Sequence, residues 1–171
     1  ADFSIMNGEG FTNIQLDNMI KTSAGLTFLP SDKISLRFYN DIQKKGDVWQ
    51  YVCIAFAGLK TRLITVGGEI NYKSNLDAVI GHHAWGFSGT GGINITEKNE
   101  LFVRYDYSSS VVLPGDELKW NHLNNGSFFI TGLQHTFTPN IKIALDYQST
   151  MPYSDNHNNQ NLIYFNALFK F

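Results

Sequence analysis

Charged side chains are scarce in this chain, at 16% of 171 residues, against about 25% in ordinary soluble domains. The shortfall points to surface that does not meet water. No apolar run approaches the ~20 residues of a membrane helix. That excludes a helical membrane protein but not one whose strands spread their hydrophobicity over alternate positions. Heptad and helical spacing are absent too, which leaves an all-β chain. Cysteine occurs once, as Cys53 within the apolar run Val52–Phe56. No internal disulfide can form, and the residue reads as a small packed side chain, because reactive thiols need electropositive, exposed settings. There is no basic excess, since the net charge is -2, and hence no footprint for nucleic acid. No signal peptide is recognisable. An opening at Ala1 fits a processed mature N-terminus or a fragment beginning partway along a longer protein.

What is present is period-two alternation, most plainly in the last eleven residues, Asn161–Phe171. Ile163, Phe165, Ala167, Phe169 and Phe171 share one face, with Tyr164, Asn166 and Lys170 on the other. Leu162 and Leu168 are the apolar exceptions. Similar strands are expected at Met19–Leu29, Lys33–Ile42, Val48–Lys60, Arg62–Lys73, Gly81–Ile95, Glu100–Ser108, Ser127–Thr138 and Ile141–Thr150. A stub at Ala1–Met6, broken by Asn7–Gly10, brings the count to ten. Val48–Lys60 is nearly apolar on both sides, so its facing stays open.

The connections alternate in length. Pro30–Asp32, Gly58–Thr61, Thr96–Asn99 and Pro139-Asn140 are short. Ser74–Ile80, Ser109–Gly126 and Met151–Gln160 are long, and Gln43–Asp47 is intermediate. Tight turns at one end and loops at the other describe an up-and-down antiparallel sheet, the layout of a transmembrane β-barrel. Ten residues at about 3.3 Å each, tilted ~45°, cover about 23 Å of membrane normal. A soluble lipocalin-like barrel would place the same apolar set inside. Aromatics near strand ends favour the membrane arrangement: Phe28, Tyr72, Tyr107, Tyr147, Phe169 and Phe171 are candidates for interfacial girdles. The terminal Phe closes the pattern.

Three stretches carry a resemblance: Glu100–Tyr107, Ile130–Gln134 and Phe137–Tyr147. They resemble the C-terminal part of Gram-negative outer-membrane porins, closest to the phosphate-selective-porin-like group of Bacteroidetes. Tyr164–Phe171 is similar to the C-terminal signal by which the barrel-assembly machinery recognises its clients. The likeness covers the chain from about Glu100 onward and the earlier strands by pattern alone. It implies a single barrel domain over residues 1–171, incomplete on its N-terminal side because a closed ten-strand barrel is narrow. It further implies residence in the bacterial outer membrane among lipid and lipopolysaccharide, with recognition by the assembly machinery through Phe171. A homotrimer is one assembly it admits. The implied activity is passive diffusion of small hydrophilic solutes, with no cofactor.

On the polar face, Lys21, Arg37, Asp41, Glu69, Lys73, Arg104, Asp106, Lys142 and Asp146 are the candidate pore-lining residues, since inward charges set selectivity. With Lys170 they carry a slight basic excess, compatible with a lean towards anions. Arg104 and Asp106 share a face and read as a paired internal ladder. The Ser109–Gly126 loop is a candidate constriction or subunit contact. His82 and His83, as strand neighbours, point to opposite faces and cannot chelate together, so no metal site is assigned. No catalytic residues are assigned either. A barrel enzyme built on Ser88, His82 and Asp106 is the rival reading, alongside a non-conducting secretion or assembly component. Gly86–Gly92 is not a phosphate loop, because no Lys and no helix follow it.

Overall fold

A computed structural model describes residues 1–7, 19–154 and 158–170. Ten strands account for most of them: β1 (Asp2–Asn7), β2 (Ile20–Phe28), β3 (Ile34–Lys45), β4 (Val48–Lys60), β5 (Ile64–Ser74), β6 (Ala84–Asn94), β7 (Asn99–Ser110), β8 (Gly126–Thr138), β9 (Ile141–Pro152) and β10 (Gln160–Phe169). They form one sheet in sequence order with every pair antiparallel. Two single 3-10 turns, Leu76–Ala78 and His122–Asn124, interrupt the long connections. The fold is the expected all-β, up-and-down arrangement. The Asn7–Gly10 break and Phe171 fall wholly or partly outside the described residues.

Connection lengths agree with the reading in every case but one. At one end the links are 29–33, 61–63, 95–98 and 139–140. At the other they include 75–83, 111–125 and 153–159. The exception is Gln43–Asp47, read as an intermediate loop. β3 continues to Lys45, which pairs with Val48, and only Gly46-Asp47 turns the chain. Gly46 supplies the left-handed φ of 58° that so short a link requires,. Lys44 gains a reason to stay in the ladder, because its ammonium lies 5.5 Å from the ring centroid of Trp49, its register partner,. The β8–β9 pair carries one irregularity between Thr136 and Thr138, where Phe137 is the additional residue,.

The sheet is a single layer. Without a second layer, side chains on one face are buried only if the sheet curls around them. The face that is buried is the polar one. Ser23, Asp41, Gln50 and Asp146 are buried, with Asp41 at 3% and Asp146 at 5% exposure. On the opposite face Ile70 is 64% and Phe165 68% exposed, together with Phe3, Leu26, Phe38 and Leu145. Among the described residues Met19 is the only buried apolar side chain. A soluble barrel with an apolar core would show the reverse. The curl therefore puts the charges inside and the hydrocarbon outside.

Both edges of the sheet lack a strand partner among the described residues, since β1 pairs with β2 alone and β10 with β9 alone. β1 reaches only from Asp2, opposite Gly25, to Asn7, opposite Ile20. Leu26, Thr27 and Phe28 of β2 extend past it, paired on their β3 side only.

Candidate functional site: the inner polar face

Strand alternation and the cross-strand registers bring all nine polar-face candidates onto the inner wall. Lys21 (β2), Arg37 and Asp41 (β3), Glu69 and Lys73 (β5), Arg104 and Asp106 (β7), and Lys142 and Asp146 (β9) keep one parity through every register. Most of these charges are pinned. Lys21 Nζ lies 3.0 Å from Asp41 Oδ2, which also accepts from the Tyr39 hydroxyl at 3.3 Å. Arg37 donates from Nη2 to Asp2 at 2.9 Å and from Nη1 to Thr27 at 2.7 Å. Arg104 Nε donates to Asp106 at 2.9 Å, the pairing expected of two residues spaced by two on a strand. Asp146 accepts from Gln148 at 2.8 Å and Asn166 at 2.6 Å. Glu69, Lys73 and Lys142 make no ion pair or side-chain hydrogen bond among the described residues.

The wall also holds residues that the sequence pattern missed. β4 is set by its registers, Asn40 opposite Cys53 and Val52 opposite Lys73. Gln50, Val52, Ile54 and Phe56 consequently turn inward, and Trp49, Tyr51 and the exposed Cys53 turn outward. Two of the inward aromatics, Phe56 and Phe102, lie against glycines. The Phe56 ring lies over Gly58 and Gly67, and the Phe102 ring over its register partner Gly132. Glu100, accepting from Gln134 at 3.2 Å, was readable by parity from Arg104 but is not among the expected residues.

On the outer face, Phe28 and Phe169 end their strands at the short-turn side, while Tyr72, Tyr107 and Tyr147 sit towards the long-loop side. The long-loop band is broader than expected, adding Trp49, Tyr51 and Trp85. Trp85 and Phe87 lie 5.2 and 5.6 Å from Tyr107, ring to ring.

Connection 111–125 packs sideways along the rim. Val112 bridges to Lys119, Trp120 stacks on His82 at 4.1 Å, and its Nε1 donates to the His83 carbonyl at 2.9 Å. Lys119 reaches Ser109 at 2.6 Å and the face of the Tyr153 ring at 4.5 Å. Leu123, Asn124 and Asn125 border the inner mouth, where the Asn124 carbonyl accepts from Ser108 at 3.4 Å. His82 and His83 precede β6 rather than lying in it, which corrects the expected Gly81–Ile95 strand. They still diverge, His82 towards Trp120 and His83 towards Tyr72 at 6.1 Å. Ser88 and Asp106 are register partners, but His82 stands beyond the start of the strand, at least about 13 Å from Ser88 along it. The three do not converge.

No protein-family model matches the chain, and no curated protein matches it. Among solved structures the chain is similar to the NanC porin, determined in a rhombohedral crystal form. The TM-score is 0.61 at 12% identity, over 90% of this chain and 79% of that one. At that identity the likeness concerns the fold: a porin-like sheet of antiparallel strands.

Proposed function

We propose that the protein is an outer-membrane porin, a β-barrel through which small hydrophilic solutes diffuse passively. The observation that carries this reading is the inverted burial of the sheet, with charged and amide side chains enclosed and large apolar side chains exposed. Water inside and lipid outside are the two surroundings that make this distribution favourable. Outer-membrane lipid and lipopolysaccharide then contact the exposed face, the aromatic bands mark its two interfaces, and Phe171 serves recognition by the barrel-assembly machinery. The two unpaired edges support a chain that is the C-terminal part of a larger barrel. A homotrimer is compatible with the same outer face.

Within the porin class the wall favours a general channel over a phosphate-selective one. A phosphate ladder needs several unpaired cations in line, whereas Lys21, Arg37 and Arg104 each spend contacts on a carboxylate. Outside those pairs the cations Lys73 and Lys142 stand against the carboxylates Glu69, Glu100 and Asp146, none of them beside a cation, so the wall supports no lean towards anions,. Single-channel recording in planar bilayers tests the reading. Stable conductance with weak selectivity between potassium and chloride supports it; a full-length protein that inserts but passes no current overturns it.

A further inference from the structure

Glu69 and Arg104 line one depression of about 240 Å³ in the inner wall, with Phe56, Gly67, Ser88 and Thr90. The glycine is what keeps the depression open. A Cβ at 67 would lie 3.3 Å from both the Phe56 ring and the Thr90 methyl. Glu69 has no hydrogen-bond or ion-pair partner among the described residues. Arg104 uses Nε on Asp106, and its Nη1 and Nη2 donate no hydrogen bond there. The two heads do not pair with each other. Their strands are separated by β6, about 10 Å laterally, with Ser88 directly opposite Glu69 and Thr90 directly opposite Arg104.

Glu69, without a partner, and Arg104, whose charge is offset by Asp106 but whose Nη1 and Nη2 remain open as donors, face one small space and discriminate by charge and by donor geometry. An anion gains from the open Nη donors of Arg104 but is opposed by Glu69 and Asp106, and a cation gains at Glu69 but finds nothing to use the Arg104 donors,. A neutral solute finds hydrogen bonds but leaves the Glu69 carboxylate uncompensated,. A compact zwitterion, with its ammonium towards Glu69 and its carboxylate towards Arg104, gains at both. Glu69, Ser88 and Arg104 also border an adjoining depression of about 480 Å³ that contains Asp106, so both heads are reachable from the wider inner face. In the smaller one, Phe56 and the glycine floor offer the solute an apolar side. We propose that this depression is a binding subsite for small zwitterionic solutes of the α-amino-acid type. It rests on the channel reading above and specifies which solutes would dwell within the channel.

The experiment is equilibrium titration of the full chain in detergent with L-serine, glycerol, ethanolamine and lactate, alongside bilayer conductance. L-serine is expected to bind at least about tenfold tighter than the other three. Glu69→Gln, which removes no contact within the protein, should weaken L-serine by about tenfold and strengthen lactate, because the repulsion disappears. A merely disturbed wall would weaken both. Glu97→Gln, in an exposed turn, should change neither. Equal affinity for L-serine and glycerol, or a parallel loss of L-serine and lactate in Glu69→Gln, overturns the subsite. Conductance without L-serine binding removes the subsite and keeps the channel; binding without conductance does the reverse.

Discussion

Phe102 and Gly132 face each other across β7 and β8, and the Phe102 ring fills the space that a side chain at 132 would need. A Cβ there would stand 2.6 Å from the ring and 2.6 Å from the Leu145 carbonyl oxygen. Backbone as well as side chain must give way. Gly132→Val should therefore destabilise the sheet by about 1–3 kcal/mol, the usual cost of overpacking. Gly89→Val is the control, since nothing lies within 4 Å of a Cβ at 89. Urea unfolding from lipid vesicles measures both; equal midpoints would remove the aromatic-over-glycine contact as a source of stability.

Lys21 and Asp41 differ from the other ion pairs in burial. The Asp41 side chain is 4% exposed and that of Lys21 27%, whereas Arg62 and Glu97 are 89% and 85% exposed. Lys21→Met strands a buried carboxylate and should cost about 3 kcal/mol. Arg62→Met should cost about 0–1 kcal/mol. Adding Asp41→Leu to Lys21→Met ought to restore part of the loss. A double-mutant cycle with a coupling below about 0.5 kcal/mol would show the pair to be independent.

Ile70 and Asn71 are neighbours on opposite faces. If the exposed face meets lipid, Ile70→Arg should lower the folding free energy into vesicles by about 2–4 kcal/mol. Asn71→Arg, on the inner wall, should fold close to normally and change ion selectivity instead. Equal folding of the two variants would mean that the outer face does not lie in hydrocarbon.

Trp120 joins connection 111–125 to residues 82 and 83 by one ring stack and one hydrogen bond, together worth about 1–3 kcal/mol. Trp120→Ala should release the connection locally, raising the rate of proteolysis after Lys119 roughly tenfold while leaving the urea midpoint of the sheet unchanged. A matching fall in that midpoint would make the connection part of the cooperative unit.

The sequence made most of the architecture readable, for a physical reason. Where the two faces of a strand meet different surroundings, as in β5, β9 and β10, the alternation of Ile70 with Asn71 or Leu145 with Asp146 is visible in the chain itself. β4 resisted because Val52, Ile54 and Phe56 are apolar and inward while Trp49, Tyr51 and Cys53 are also apolar or nearly so and outward. Only its partners' registers separate the two sets. The turn at Gly46 was hidden because Gln43, Lys44 and Lys45 are polar on both faces and look like loop. His82 and His83 read as strand because side-chain contacts that hold them outside it, the Trp120 stack and hydrogen bond, lie 38 and 37 residues away, while the nearest ones are backbone bonds of a turn that no side-chain alternation announces. Within the inner wall, Arg104 with Asp106 could be foreseen from spacing alone. Lys21 with Asp41 and the freedom of Glu69 could not, since each depends on which residues neighbouring strands bring alongside.

Strand order in the sheet repeats strand order in the chain from β1 to β10 without a crossover. Every ladder among the described strands is therefore made between segments adjacent in sequence, so loop closure is local at each of these steps,. Such a sheet can grow hairpin by hairpin as the chain becomes available. It can also lose or gain a hairpin at an edge without rethreading what remains, which makes strand number a quantity that evolution or an engineer can change in steps of two.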